Sequence, residues 1–176
     1  NVCGMHGINA GVVSDSVKNS TGMPFYSVRD TIDPETGYDS LSGKTLPAWI
    51  TQVSSFRIEP LLRNRGIFRM KGLDLADYIV ETTVVTKSYS DLMQEAAPVG
   101  DKKMRPFLVL IDTEGFDCEI VKGISPSSRY LPTYLLFEHK QCADKEGVYN
   151  YLKSLGYDVY PVSKENTIAV KKEASE

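Results

Sequence analysis

The sequence predicts an α/β fold with a mostly parallel sheet ending in an antiparallel hairpin, and three observations carry that expectation. The runs 106–111 (PFLVLI) and 134–137 (YLLF) are apolar without alternation, and each stops at a carboxylate, Asp112 and Glu138. Parallel strands buried on both faces have this look. A helical pattern follows each run. At the end, 157–162 and 167–170 flank the turn formers of 163–166, as two strands of a hairpin do.

Taken in order, 7–15 (GINAGVVSD) reads as a short strand running into a loop, and 24–28 (PFYSV) as a second strand. Residues 29–47 are rich in Asp, Gly, Ser, Thr and Pro with little periodicity, which predicts a long surface loop, and 29–75 as a whole reads as an insertion. From 47 to 65 the apolar positions Trp49, Ile50, Val53, Phe56, Ile58, Leu61 and Leu62 predict helical pieces broken near Pro60. Proline fits a first helical turn because it has no amide hydrogen to donate. Residues 78–86 are rich in branched side chains and read as one strand, and 90–93 as a helix start. Between the two apolar runs, 117–123 predicts a short helix with Gly123 near its C-terminus. Val148, Tyr151, Leu152 and Leu155 share one helical face, closed by Gly156.

With 176 residues, 41% of them apolar and 24% charged, the chain has the make-up of one globular domain with a real core. A net charge of -3 without a basic block argues against a nucleic-acid or anionic-membrane surface, since both need clustered Lys and Arg. No apolar run approaches the ~20 residues that span a bilayer. The three cysteines, Cys3, Cys118 and Cys142, are odd in number and widely spaced, which reads as free thiols in a reducing, cytoplasmic compartment. The chain starts at Asn1 within structured-looking sequence, so further sequence is expected upstream.

Ligands of open α/β sheets bind outside the carboxyl ends of the strands, so Asp112, Glu114 and Glu138 should gather on one edge. Carboxylates brought together repel, and need a cation or shared proton to balance them. Gly115 allows a sharp turn there. The plainer alternative makes Asp112 or Thr113 a helix cap and Glu114 a solvated acid. His139 is a candidate proton acceptor or metal ligand, or else a loop histidine bonded to a carbonyl. His6 reads as structural, and Trp49 and the tyrosines as packing. Arg57, Arg63, Arg65, Arg69 and Lys71 read as a solvated basic face, with grip on an acidic substrate as the sharper option.

Residues 107–123, FLVLIDTEGFDCEIVKG, resemble the segment that marks FkbM-type S-adenosylmethionine-dependent methyltransferases: an apolar strand, Asp-x-Glu-Gly, a short helix and a Lys-Gly end. Further matches follow in family order: 8–15 with its third strand, 22–26 with the next short strand, and Ser55-Phe56 with Leu61-Leu62 with a Ser-Phe helix of one branch. Residues 81–92 match the strand and helix before the fourth core strand, 134–139 (YLLFEH) the fifth strand, and 155–157 with 166–169 the closing hairpin. The resemblance covers nearly the whole chain. It implies a Rossmann-like class I methyltransferase sheet that moves a methyl group from S-adenosylmethionine to a hydroxyl oxygen of a small molecule, glycan or lipid. It also implies that Asp112 and Glu114 stand beside the methyl group, either serving as base, that Glu138 and His139 line the same edge, and that Asn9, Ala10, Gly11 and Val12 lie near the adenine.

The family's glycine-rich loop after its first strand and the ribose-binding acid after its second have no counterpart here, so the chain is expected to be the later part of such a domain, with weak cofactor binding alone. Two other readings compete. Asp-x-Glu after an apolar strand also opens the first motif of two-metal nucleases, although no later aspartate ends a comparable strand. A domain that lost catalysis and serves as a binding scaffold is the other.

Overall fold

A computed structural model describes residues 8, 10–14, 21–63, 65–96 and 105–172. Its strands are β1 (Gly11–Val13), β2 (Met23–Val28), β3 (Tyr38–Asp39), β4 (Lys44–Thr45), β5 (Ile79–Val84), β6 (Thr86–Ser88), β7 (Leu108–Ile111), β8 (Tyr134–Glu138), β9 (Tyr157–Pro161) and β10 (Asn166–Lys171). Its helices are α1 (Glu59–Leu62), α2 (Arg65–Met70), α3 (Tyr89–Ala96), α4 (Asp117–Lys122) and α5 (Lys145–Ser154). The protein is α/β, with small sheets that pair some strands parallel and others antiparallel. Two compact units result, one built from 1–22, 85–112 and 116–176, the other from 23–84 and 113–115.

The first unit holds a four-stranded sheet in the order β7-β8-β10-β9. β7 runs parallel to β8 with Ile111 opposite Phe137, and β10 lies antiparallel between β8 and β9. The expected terminal hairpin is therefore present. Alternation along β8 buries Leu135 and Phe137 completely, where they meet a core that includes Ile120, Val121, Leu152, Tyr157 and Ala169. α5 begins at Asp144, whose carboxylate accepts from the Gly147 amide, and ends before Gly156, whose φ of 79° only glycine adopts without strain. In the same unit β1 pairs parallel with β6.

One expectation about the first apolar run does not hold. β7 covers one face only: Ile111 is buried, whereas Phe107, Leu108 and Leu110 are 72%, 52% and 62% exposed. Among the described strands β7 has a single neighbour, so the run carries more apolar surface than this sheet covers.

Gly123 does lie at the end of α4, but its φ of -80° needs no glycine. The constraint is space: a Cβ built there would stand 2.6 Å from Ser14 Cβ and 2.7 Å from Ser14 Cα, at the contact of α4 with β1. Gly123→Ala is expected to destabilise this unit by about 1–3 kcal/mol, read from the urea midpoint at constant m-value.

The second unit corrects two readings. Residues 29–47 are not a structureless loop, because Ile32 and Leu46 join Ile50, Phe68, Leu73, Leu75 and Tyr78 in a buried cluster. The strand expected over 78–86 is two strands, divided at Val85. β5 pairs antiparallel with β2 in this unit, and β6 pairs with β1 in the other. Among the described residues the strands form four small sheets, with both parallel and antiparallel pairings, where a single mostly parallel sheet was expected. Pro60 does sit in the first turn of α1.

Polar side chains hold the 29–47 segment as much as apolar ones do. Asp39 is fully buried, ion-paired to Arg29, and accepts from Thr31 Oγ1 at 2.6 Å, from the Ser42 amide at 3.0 Å and from the Ser42 hydroxyl. Arg29 also lies 4.5 Å over the Tyr78 ring. Burial alone would raise the Asp39 pKa, but the hydrogen bonds from Arg29, Ser42 and Thr31 outweigh it and hold the carboxyl well below its usual 3.8. A depressed folded pKa adds stability that is present above the unfolded value and is lost as pH falls below it. Thermal melts are therefore expected to show this unit losing stability below about pH 4, and Asp39→Asn to lower Tm by roughly 10 °C at pH 7 while flattening that acid limb.

Cys118 and Cys142 form a disulfide, with Cα atoms 5.8 Å apart across 24 residues of sequence, which overturns the free-thiol reading for both. α4 packs against β8, so a cysteine in its first turn comes beside one in the loop that follows β8. Cys3 and His6 lie outside the described residues. Among the described residues no helix is long and apolar enough to cross a membrane.

Candidate functional site at the strand ends

Parallel pairing of β7 and β8 decides where the first two carboxylates go. Ile111 faces Phe137 across the ladder, so Asp112 and Glu138, the next residue of each chain segment, leave the sheet at the same end. Asp112 is exposed and Glu138 half-buried. A third carboxylate of this unit was not singled out from the sequence. Asp117, 1% exposed at the start of α4, accepts from the Glu138 amide at 3.4 Å. Only its place after a Gly-Phe turn could have flagged it, since an acid in a first helical turn is commonplace.

Glu114 belongs with the second unit and is set by its backbone. Its φ of 51° is the only positive one on a residue other than glycine among the described residues, and Gly115 follows at 105°. A left-handed glutamate costs of order 1 kcal/mol and persists only when its surroundings impose it. Part of that imposition is visible. Ser55, 1% exposed, donates from Oγ to the Glu114 carbonyl at 3.1 Å and accepts from the Arg57 amide at 3.2 Å. Ser55 itself is bridged to Tyr26 of β2 and is not helical, contrary to the helix expected around Ser55-Phe56.

His139 is 6% exposed and sits beneath the terminal hairpin. Its Nδ1 is 2.7 Å from Thr167 Oγ1, which in turn is 2.6 Å from the Tyr149 hydroxyl, and the ring also bonds the Lys164 backbone. Burial lowers its pKa, the Lys145 charge adds to that, and the Lys164 bond opposes it. Its nearest side-chain partner is thus a hydroxyl.

Of the residues expected near an adenine, Asn9 lies outside the described residues, while Ala10, Gly11 and Val12 are half-buried. The Gly11 amide is already given to the Val85 carbonyl, so β1 offers a nucleobase little beyond Val12 and remaining backbone groups. Among the described residues no three His, Cys, Asp or Glu side chains gather as a metal-binding set, and nothing there adds support to the nuclease alternative. No family model matches this chain, and no curated protein or solved structure matches it significantly.

Proposed function

We propose that the chain carries the acceptor side of an S-adenosylmethionine-dependent O-methyltransferase of the FkbM type. The observation that carries this reading is Glu114, kept in a strained left-handed backbone by a buried serine directly after a strand that ends in Asp112. Strain of this kind clusters where a side chain must be aimed. The sheet order β7-β8-β10-β9, with one antiparallel strand inserted beside the edge, agrees with the second half of a Rossmann-like methyltransferase sheet.

When bound, the cofactor would supply an electrophilic methyl group. The residues present would do the rest: the proton of the acceptor hydroxyl goes to Asp112, with Glu138 on the neighbouring strand end orienting that hydroxyl, or it goes to Glu114. The residues fit this half of the reaction better than cofactor capture, because neither the family's glycine turn nor its ribose acid has a counterpart among them. A small-molecule, glycan or lipid hydroxyl is the acceptor class. The Cys118–Cys142 bridge favours an oxidising compartment in place of the cytoplasmic one expected from sequence.

The test is an amide NMR titration with S-adenosylhomocysteine to millimolar concentration, where even weak binding is visible. Saturable shifts centred on 10–12 and 112–116 are the expected result. No saturable shift, or shifts elsewhere, would overturn the assignment. The exposed Phe107, Leu108 and Leu110 favour a second reading, a scaffold that binds a protein partner through β7. In that case these three residues would be protected by a partner while 112–116 stay inert to the cofactor product.

A further inference from the structure

A cavity of about 430 Å³ opens between α3 and the loop that follows α4, wholly within the first unit. Its walls are Ser90 and Gln94, one turn apart on α3, and Ser125, Ser127, Ser128 and Arg129 of the loop, with Tyr130 at its base. The volume falls within the range of small-molecule sites. Among the described residues, four serine hydroxyls, the Tyr130 phenol, one carboxamide and one guanidinium line it, and no carboxylate does. Such a surface offers hydrogen bonds in both directions to hydroxyl groups and one fixed positive charge.

The cradle is built before any ligand arrives. Tyr130 is 3% exposed, its carbonyl accepts from the buried Tyr89 hydroxyl at 2.6 Å, and its amide donates to Ser128 Oγ at 3.2 Å. The Ser128 amide closes a turn on the Ser125 carbonyl at 3.0 Å, and the Ser125 and Ser127 hydroxyls are 2.9 Å apart. The Tyr151 hydroxyl donates to the Ile124 carbonyl just upstream. On this base Arg129 is doubly restrained, its guanidinium carbon 4.7 Å over the Tyr130 ring and one nitrogen bonded to the Tyr130 hydroxyl. On the opposite wall α3 is started by a reciprocal cap, the Ser88 amide donating to Asp91 Oδ2 at 2.9 Å and the Asp91 amide to Ser88 Oγ at 3.2 Å. A guanidinium already immobilised loses little further entropy when it takes an oxyanion, and its remaining N–H groups suit a planar or tetrahedral one.

We propose that this cavity binds a phosphorylated sugar or polyol, with Arg129 holding the phosphate and the serine and glutamine side chains the hydroxyls. The site is distinct from Asp112 and Glu138, for it opens at the chain segment that enters β8 and these two stand where β7 and β8 end, roughly 15 Å further along the strand. It does not rest on the methyl-transfer reading.

Glucose 6-phosphate, glucose and inorganic phosphate serve as probes in amide NMR titrations of the full chain. The ester is expected to shift residues 90–94 and 125–130 saturably and to bind at least tenfold tighter than phosphate or glucose alone. Arg129→Gln should weaken it about tenfold, and Ser90→Ala, on the other wall and away from the loop's internal bonds, severalfold, with the spectrum of each variant otherwise unchanged. The proposal is overturned if the ester binds no better than inorganic phosphate, if its shifts centre on 112–116, or if neither variant alters its affinity.

Discussion

On the proposed methyl-transfer reading, Glu114→Gln is expected to lower turnover by about 10²–10⁴-fold with little change in KM, the loss typical of a removed general base. The substitution keeps shape and hydrogen bonding but gives up the proton acceptor, so the backbone at φ 51° and the bond from Ser55 to its carbonyl should survive. Glu114→Gly separates strain from chemistry. Glycine adopts a left-handed backbone freely, so this variant is expected to gain up to about 1 kcal/mol of stability while losing the same activity. The pair is read by single-turnover assays with radiolabelled cofactor beside urea melts. Unchanged turnover in Glu114→Gln would remove Glu114 from the base role and leave Asp112 as the candidate. Wild-type stability in Glu114→Gly would show that the left-handed turn carries no strain.

Opening the Cys118–Cys142 bridge is the other large effect. Closing a loop across 24 residues removes unfolded-chain entropy worth about 3.5 kcal/mol at 25 °C. Dithiothreitol is expected to lower the urea midpoint of the oxidised protein accordingly. The Cys118→Ser/Cys142→Ser variant should start at the lowered value and show no further response to reductant. The bridge ties the first turn of α4, which holds Asp117, to the loop after Glu138. Reduction is therefore also expected to broaden the amide signals of Glu138 and its neighbours before the rest of the unit unfolds. A reductant-insensitive wild type would show that the thiols are not paired in solution.

The sequence made the β7–α4–β8–α5 succession and the terminal hairpin legible, because each is declared locally. Apolar runs stop at Asp112 and Glu138, helices close at Gly123 and Gly156, and turn formers lie at 163–166. The strand-end position of Asp112 and Glu138 followed from the same runs. Less legible was the segment 23–84. Within it, 29–47 is held by Ile32 and Leu46 in the buried cluster and by Asp39, which collects partners from Arg29, Thr31 and Ser42, whereas in a one-dimensional reading polar residues between turn formers look like a loop. The division of 78–86 at Val85 was equally hidden, since both halves are rich in branched residues and only their pairing partners differ.

By itself, then, the sequence determined the α/β class and which carboxylates close the strands, through local periodicity and turn chemistry that each segment carries alone. Tertiary structure decided what depends on residues distant in the chain. The fold buried His139 beside Thr167 and Tyr149 in one hydrogen-bonded chain, α4 against β8 joined two cysteines 24 positions apart, and Ser55 held Glu114 by its carbonyl from 59 positions away. None of these contacts has a local signature, because a hydrogen bond or a disulfide needs its partner's position and not merely its identity.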